Sequence, residues 1–346
     1  MAQARRGYGY GVAAYLLWGV FPVYFKLLLP AEPLEILAHR VIWSAVFVAL
    51  LLGAARWLRG AHRAGNLRRL VRRPRTLLGM GAGAVLIAAN WGTFIYGVNS
   101  DRVVEASLGY FVTPLVTMLL GVLVLRERLR AGQWLAVGIG AVAVSVLAVD
   151  YGRLPYVALG LAGSFGLYGL VKKTVGAPAM EGLLVETALL CVPAAGYLWW
   201  LTAQGAASVG TAGVAHTGLV LGVGAVTAVP LLLFAAAANR IPLSAMGILQ
   251  YLAPTLQFLL GVFGFGEPMP PARLAGFTLV WLALVIFSGD ALRHVRTARL
   301  ARGQVAATEP AAAPDATVAP DAATIAPDAA AAGGAAVTDA ARPARR

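Results

Sequence analysis

The chain has 346 residues, of which 59% are hydrophobic and 12% are charged, and its formal net charge is +13 at pH 7. Because a soluble domain has about a quarter charged residues, this composition indicates a membrane protein. The single cysteine, Cys191, excludes an intramolecular disulfide, and the four scattered histidines lack the spacing of metal ligands. We therefore expect no metal ion and no other cofactor.

Apolar runs along the chain predict ten transmembrane helices, each close to the ~20 residues that span a bilayer. These runs are apolar on every face, and backbone hydrogen bonds within a bilayer must be satisfied inside the segment, so helices are expected. The first run follows Arg5 and Arg6 but is too long for a cleavable signal peptide. The predicted spans are 8–29, 33–53, 76–98, 103–125, 131–149, 153–171, 181–201, 214–238, 242–264 and 271–290.

The basic residues between these runs predict the orientation of the chain. If the N-terminus is cytoplasmic, most arginines and lysines, including the arginine-rich segment 56–75, fall on the cytoplasmic side. The opposite side holds Lys26, Arg102, Arg153 and Arg273. The positive-inside rule then places both termini in the cytoplasm. Such loops attract anionic lipid head groups, so the net charge does not indicate nucleic-acid binding.

An internal repeat is present in the apolar region. Residues 107–128, SLGYFVTPLVTMLLGVLVLRER, recur in outline as residues 247–268, GILQYLAPTLQFLLGVFGFGEP. Pro114 matches Pro254, and the glycines and acidic residues that follow keep the same offset. A fixed offset between apolar segments indicates a chain built from two copies of one membrane unit.

The predicted orientation gives this repeat a physical meaning. Five spans in each half is an odd number, so the second half crosses the membrane in the opposite direction. Glu127 then lies on the cytoplasmic side and its counterpart Glu267 on the outer side. We predict an all-α membrane protein of two inverted five-helix repeats, residues 1–150 and 151–302, whose relative motion gives alternating access.

The composition changes after about residue 303. Alanine, proline, aspartate and threonine dominate the segment 303–346, and the tripeptide Pro-Asp-Ala recurs within it. A segment with so little to bury is expected to be a disordered cytoplasmic tail. It is either a tether or a variable extension without a function of its own.

Seven stretches of the sequence form a recognisable set. They are WGVFPVYFK (18–26), EILAHRVIWS (35–44), ANWGTFIYGVN (89–99), EASLGYFVTPLV (105–116), FGLYGLVKK (165–173), TAVPLLLFA (227–235) and LSAMGILQYLAPTLQF (243–258). Together they extend over most of the chain outside the tail. On these residues the chain resembles the RarD branch of the EamA-type transporter family, within the drug/metabolite transporter superfamily.

The resemblance implies a ten-helix bundle of two inverted repeats in the bacterial inner membrane. Members of this family move small organic solutes and carry chloramphenicol-sensitivity or permease names. The resemblance therefore implies the transport of a drug or metabolite, without identifying the solute, the direction of transport or the coupling ion.

Charged side chains inside the apolar runs are the first functional candidates, because each costs about 2.5–3.5 kcal/mol to insert. Glu35, His39, Arg40 and Glu105 fall in the outer part of the first half. One interpretation is a charged gate for an anionic or zwitterionic solute, with Arg40 as the partner of its carboxylate. The other is an ion-pair network that joins helices. His39 is either a group that titrates near neutral pH or a hydrogen-bonded structural residue.

Glu186 is the charged candidate in the second half. It lies inside the seventh predicted span, and Lys172 and Lys173 precede that span at its cytoplasmic edge. A lone buried carboxylate would suit proton coupling, for which Glu105 is the other candidate. Alternatively, Glu186 pairs with one of the two lysines as a structural latch.

A second group of candidates lies near the membrane midplane. Pro114 and Pro254 each leave the backbone carbonyl one turn earlier without its helical partner. Aromatic and amide side chains near these turns are typical of a pocket for a small organic molecule. The amides would otherwise join neighbouring helices. The predicted substrate-binding residues are Asn90, Trp91, Tyr96, Tyr110, Phe111, Gln250 and Tyr251.

These observations predict a secondary transporter for a small molecule, acting as a monomer or homodimer. A segment of the GxxxxGK[ST] type is absent, so a gradient of protons or of solute is the expected driving force. The GxSxG and HExxH patterns are absent too, and we predict that the chain is not an enzyme. The alternative is a membrane partner or regulator that transports nothing.

Overall fold

The structure of the protein is a computed structural model that describes residues 2–59, 72–126, 128–175, 179–238 and 240–308. Every regular element in these ranges is helical, which confirms the predicted fold class. The chain divides into two units, residues 1–296 and 297–346. The first unit contains the helical bundle, and the described part of the second, 297–308, is helical.

Twelve α-helices and one π-helical turn make up the described ranges. They are α1 (Ala2–Gly19), α2 (Phe21–Leu27), α3 (Pro33–Arg59), α4 (Pro74–Asn99), α5 (Val103–Leu125), α6 (Ala131–Asp150), α7 (Tyr156–Val175), α8 (Ala179–Ala203), α9 (Val214–Ala238), α10 (Leu243–Leu249), α11 (Leu252–Leu259), the π-helical turn Leu260–Gly264 and α12 (Pro271–Thr308).

Eight helical segments in the described ranges are long and apolar enough to cross a membrane, and α1 with α2 makes a ninth if the bent pair is one span. The sixth predicted span, 153–171, corresponds to α7, which is outside this set. Helix α7 packs closely against both α4 and α5. Four glycines and the two lysines of its last turn, Lys172 and Lys173, lower the mean hydropathy of α7.

The first predicted span is bent rather than continuous. Helices α1 and α2 meet at Val20 with an angle of 40° between them. Pro22 lies in the first turn of α2 and has no N–H to donate back to α1. The bend is therefore encoded by the proline, and it turns Phe21 and Phe25 into the bundle, where both are buried.

The two repeat prolines have different effects on their helices. Pro254 lies three residues after Tyr251, in the first turn of α11, and the interruption at Gln250 and Tyr251 separates α10 from α11. Pro114 lies inside α5, which is continuous from Val103 to Leu125. The predicted backbone irregularity is thus present as a break in the second half only. The repeat partners Glu127 and Asn239 lie outside the described residues.

The last helix extends further than the sequence predicts. The predicted span ends at residue 290 and the predicted tail begins at residue 303, yet α12 runs to Thr308. Alanine, arginine, leucine and glutamine in this stretch have high helix propensity, which favours continuation of the helix. The rest of the predicted tail, 309–346, lies outside the described residues.

Glycines allow the central helices to approach closely. A Cβ atom at Gly224 of α9 would lie 2.3 Å from the carbonyl carbon of Trp43 in α3. A Cβ atom at Gly109 of α5 would lie 2.9 Å from the carbonyl oxygen of Ala158 in α7. Only glycine fits at both positions, because a real Cβ does not approach backbone so closely.

Two ion pairs, one at each end of α6, join this helix to α12. Arg130, at the start of α6, binds Asp290 with an N–O distance of 2.6 Å. Arg273, near the start of α12, binds Asp150, the last residue of α6, at 2.8 Å. The two helices are therefore antiparallel, and Asp150 and Asp290 occupy equivalent places in the two halves. This arrangement is consistent with an inverted repeat.

Candidate functional site

Arg40 is a charged residue that the fold buries almost completely, and among the described residues it has no ion-pair partner. It lies about two turns into α3, and its residue is 4% exposed. Within the described residues, its Nε and Nη1 atoms have no hydrogen-bond partner and no carboxylate is paired with it. A buried charge without a partner is costly, so this position requires an explanation other than stability.

Aromatic rings surround the Arg40 guanidinium. Its central carbon lies 4.2 Å from the centroid of Trp91, 5.5 Å from that of Phe25 and 5.7 Å from that of Phe21. A desolvated cation–π contact of this kind is worth about 2 kcal/mol. The rings offset part of the cost of burial, but they supply no acceptor for the N–H groups.

Two more aromatic residues complete this environment. Phe94 lies 5.9 Å from Phe25 and 5.7 Å from Tyr110, measured between ring centroids. Tyr110 also lies close enough to Arg40 for their charges to interact. We call this aromatic cluster the Arg40 cage: the rings of Phe21, Phe25 and Trp91 face the guanidinium, and Phe94 and Tyr110 extend the cluster beside them.

Further unpaired polar atoms lie on α3 and on the helix that packs against it. Ser44 is one turn after Arg40 on the same face of α3, and it is buried. Thr227 of α9 is also buried, three residues after the close contact between Gly224 and Trp43. The hydroxyls of Ser44 and Thr227 and the indole N–H of Trp43 have no hydrogen-bond partner among the described residues. The contact between α3 and α9 thus carries hydrogen-bonding capacity that the protein itself does not use.

Glu105, one of the predicted gating residues, holds two helices together. It lies in the first turn of α5 and accepts hydrogen bonds from Arg153 Nη2 at 2.8 Å and from the backbone N–H of Val157 at 2.9 Å. Val157 belongs to the first turn of α7, so Glu105 caps that helix. The hydrogen bond with Glu105 raises the pKa of Arg153 above its ordinary value.

Glu186 also has its partners on α7. It accepts hydrogen bonds from Tyr168 Oη and from Lys172 Nζ, each at 2.9 Å. Gly83 of α4 leaves room for the carboxylate, since a Cβ there would lie 3.0 Å from Glu186 Oε1. These contacts have the geometry expected if Glu186 pairs with a lysine as a structural latch, and the lysine is Lys172.

Glu35 ties the start of α3 to the connection between α8 and α9. It accepts hydrogen bonds from the backbone N–H of Ser208 at 2.8 Å and from the hydroxyl of Ser208 at 2.9 Å. His39 follows one turn later on α3 and interacts electrostatically with Glu35. The predicted gating residues therefore do not form one network, because Glu35, Glu105 and Glu186 each bind a different set of partners.

Three of the predicted substrate-binding residues have partners within the bundle. Asn90 donates hydrogen bonds from Nδ2 to Leu161 O at 3.0 Å and to Ser164 Oγ at 3.1 Å, which joins α4 to α7. Tyr96 lies near the end of α4, where its hydroxyl is 3.1 Å from that of Tyr156. Phe111 packs with Trp281 of α12 at a centroid distance of 6.3 Å. A role for these three in binding a substrate stays a prediction.

Gln250 and Tyr251 lie at the helix break before Pro254. Both are half-buried. The Tyr251 hydroxyl is near Ser288 and Gln250 without forming a hydrogen bond of normal geometry. Of the predicted substrate-binding residues, the Arg40 cage thus brings together Trp91 and Tyr110, and Gln250 and Tyr251 belong to the helix break.

Sequence reasoning missed several residues of the site. Phe21, Phe25 and Phe94 belong to the cage, while Ser44 and Thr227 supply unpaired hydroxyls. The four-residue spacing of Phe21 and Phe25, on either side of Pro22, was the available signal for the aromatics. Nothing in the sequence distinguishes these hydroxyls from those that bond to their own helix.

The described residues form an all-helical bundle with eight or nine segments long and apolar enough to cross a membrane, and they include a buried polar site bordered by aromatic rings. This combination is typical of polytopic membrane transporters. The profile of the EamA-like transporter family matches residues 5–149. Protein RarD of Streptomyces exfoliatus is 50% identical over 309 residues, which cover 89% of this chain and 95% of that protein. The chain belongs to the EamA-like transporter family, in its RarD branch.

Two further similarities agree with this membership. An uncharacterized transporter of Pseudomonas aeruginosa is 42% identical over 295 residues, covering 85% of this chain and 97% of its own. A solved crystal structure with 18% sequence identity covers 83% of this chain and 97% of its own, with a TM-score of 0.51. The latter supports the fold alone. The protein is thus a multi-pass membrane transporter of the drug/metabolite transporter type.

Proposed function

We propose that the protein is a secondary transporter that moves a small organic solute across the bacterial inner membrane by alternating access. The observation that carries this proposal is Arg40, a buried guanidinium with unpaired N–H groups inside a cage of aromatic rings. A cavity that combines aromatic surface with a few unpaired polar groups is the usual form of a small-molecule site. In this proposal the solute supplies the missing partner of Arg40.

The two halves move relative to each other around this site. The ion pairs Arg130–Asp290 and Arg273–Asp150 hold α6 against α12 at both ends, so these two helices form a support that stays together. The break at Gln250 and Tyr251 gives the second half a point at which α10 and α11 can change their angle. Both features fit an inverted-repeat transporter whose site opens alternately to the two sides.

The driving force is a gradient of protons or of solute. Proton coupling through Glu105 or Glu186 stays a hypothesis, and the observed partners favour structural roles, because each carboxylate already binds a cation and a further donor. Purified protein in proteoliposomes tests this point. Uptake that increases with an imposed pH gradient and is lost in Glu105→Gln or Glu186→Gln would support proton coupling. Uptake that is independent of the pH gradient would contradict it.

The first test of transport is a search for a solute that binds. Purified protein is heated with amino acids, nucleosides, polyamines and amphenicols, because a ligand of the folded state raises the unfolding midpoint. Each positive solute is then assayed for flux into proteoliposomes, with protein-free liposomes as the control. Binding without flux for every positive solute would contradict the proposal and favour a membrane partner that transports nothing.

Alternating access is tested separately by labelling. In a Cys191→Ala background, Ser44→Cys places a single thiol one turn from Arg40. Membrane-impermeant maleimide added to the medium should label this thiol through the outer face of the membrane in right-side-out vesicles. In inverted vesicles it should label the thiol through the cytoplasmic face. Bound solute should change both rates. Labelling from one side only, with and without solute, would contradict alternating access at this site.

A further inference from the structure

We infer that the transported solute carries one carboxylate or sulfonate group on a flat apolar body, and that Arg40 binds this anionic group. The inference rests on the proposed function and adds the chemical class of its substrate. Three features of the site carry it: the unpartnered nitrogens of the guanidinium, the single uncompensated charge and the aromatic composition of the cage.

Two guanidinium nitrogens of Arg40, Nε and Nη1, are buried and have no hydrogen-bond partner among the described residues. Trp91 lies against the guanidinium at 4.2 Å, and contact with a ring face does not occupy the N–H groups, which point outward in the guanidinium plane. A guanidinium binds a carboxylate through either of two edges, Nε with Nη2 or Nη1 with Nη2. Each edge includes one of the two unpartnered nitrogens, so an anion bound at either edge satisfies at least one of them.

The charge of the site fits one negative charge. Lys26, the nearest lysine or arginine before Arg40 in the chain, forms an ion pair with Asp101. Glu35 is occupied by Ser208, and none of the described acidic residues forms an ion pair with Arg40. The site therefore holds one uncompensated positive charge. A monoanion neutralises it, whereas a cation is repelled and a dianion leaves a net charge in a region of low dielectric constant.

The rings determine the rest of the solute. Three aromatic rings against one guanidinium, with two more beside them, leave little surface for the water that a small inorganic anion retains. A flat apolar body packs against such rings and gains about 0.5–1.5 kcal/mol per aromatic pair beyond the burial of its surface. The site thus selects an organic anion over chloride or phosphate.

A set of close isosteres tests this class on the unmodified protein. The probes are benzoate and benzenesulfonate as anions, benzamide as the neutral analogue, benzylammonium as the cation, phthalate as the dianion and acetate as the anion without a ring. We expect benzoate and benzenesulfonate to raise the unfolding midpoint, with half-saturation at concentrations at least tenfold lower than for each other probe. An equal response to benzamide or benzylammonium would overturn the inference.

Variants of Arg40 test whether its guanidinium is the group that binds the anionic group of the solute. Arg40→Gln should remove the preference for benzoate over benzamide, and Arg40→Lys should keep part of it because the charge remains without the planar fork. Arg75→Gln is the matched control, since Arg75 is exposed at the start of α4, and it should keep the full preference. If Arg40→Gln retains the preference, Arg40 is not the anion-binding group. Should a variant fail to fold, the probe series on the unmodified protein still decides the substrate class.

Flux of radiolabelled benzenesulfonate separates this inference from the proposed function. The sulfonate stays charged and does not leak through lipid in a protonated form. Binding in the expected order with no flux would contradict transport but leave the anion site intact. Flux of a neutral or cationic solute that Arg40→Gln does not impair would contradict the substrate class but leave transport intact.

Discussion

The buried acidic residues and the buried arginine of this protein are treated in opposite ways by the fold. Glu35, Glu105 and Glu186 are nearly inaccessible, and each accepts at least two hydrogen bonds from a neighbouring segment. Arg40 is buried to a similar degree, yet two of its nitrogens have no partner among the described residues. All four were candidates for function on the same grounds, as charges within apolar runs.

The difference separates two reasons for keeping a charge inside a membrane protein. A carboxylate that accepts hydrogen bonds from at least two donors of a neighbouring segment joins that segment to its own helix and needs no further partner. A guanidinium that contacts only rings has capacity left for a ligand. The completeness of its hydrogen bonding, rather than burial or charge alone, therefore tells a structural charge from a binding charge.

The largest effect should come from breaking the pair of Glu105 and Arg153. Arg153→Met leaves the buried Glu105 carboxylate without its cation and should destabilise the protein by about 3–5 kcal/mol. Glu105→Met should cost less, about 2 kcal/mol, because Arg153 has a side chain 34% exposed and can rehydrate. Unfolding of the detergent-solubilised protein by SDS measures both values.

The double variant Arg153→Met with Glu105→Met provides the control for this pair. It should be more stable than Arg153→Met alone, because it removes the uncompensated charge together with its partner. If the two single variants cost the same, or if the double variant is the least stable, the pair is not the satisfied structural unit described above.

A smaller loss is expected at the latch between α7 and α8. Glu186→Gln keeps an acceptor for Tyr168 but loses the ion pair with Lys172, which should cost about 1.5–2 kcal/mol. Glu181→Gln, at the half-buried start of the same helix, is the matched control and should change the unfolding free energy by less. If the two substitutions lower the unfolding free energy equally, the ion pair between Glu186 and Lys172 makes no specific contribution to stability.

Substitution of Arg40 should raise the unfolding free energy, whereas the substitutions of the carboxylates should lower it. Arg40→Met removes an unpaired buried charge and keeps a long side chain that packs against aromatic rings, so we expect a gain of about 1 kcal/mol. The gain is limited because the cation–π contacts are lost at the same time. Arg75→Met, at an exposed position, should leave the unfolding free energy unchanged. A loss of stability in Arg40→Met would mean that Arg40 has a structural partner and would remove the contrast with the carboxylates.

The sequence predicts the helical class, the family and most of the span limits, because runs of apolar residues and their breakers are local signals. It also predicts that Arg40 and Trp91 belong to a functional region. It does not predict that Asn90 bonds to Leu161 or that Glu35 binds Ser208, since these partners are far apart in the chain. Whether a polar group is satisfied depends on such distant partners, and it becomes visible only when the helices are packed.

The two halves show the same limit of prediction. Pro114 and Pro254 occupy equivalent places in the repeat, and the pattern alone predicts the same irregularity at both. The structure interrupts the helix before Pro254 and keeps α5 continuous through Pro114. In α5 the threonine before the proline, Thr113, donates its hydroxyl to Gly109 O at 2.8 Å, one turn earlier. Side-chain bonds of this kind can stabilise a helix near a proline, and the repeat does not conserve them, because Ala253 replaces the threonine in the second half.

The smallest predicted effect concerns Glu267, a satisfied carboxylate outside the spans. It accepts hydrogen bonds from the backbone N–H groups of Val103 and Val104, the latter at 3.0 Å, and so caps α5. Burial raises its pKa despite these bonds, which act in the opposite direction. A carboxyl group with a raised pKa in the folded state stabilises the fold most below its ordinary pKa. This contribution is lost as pH rises through the folded-state value.

Glu267→Gln should therefore remove a part of the pH dependence of unfolding. The unfolding free energy of the unmodified protein, relative to the variant, should fall as pH rises from the ordinary pKa of a glutamate toward neutrality, and then level off. Glu32→Gln, at an exposed position, should show no such trend. A relative stability that rises with pH would mean that the two N–H groups outweigh burial and hold the carboxylate charged. The hydrogen bonds to Glu267 would then more than compensate for its burial. The contrast with Arg40, whose nitrogens lack such partners, would be sharper.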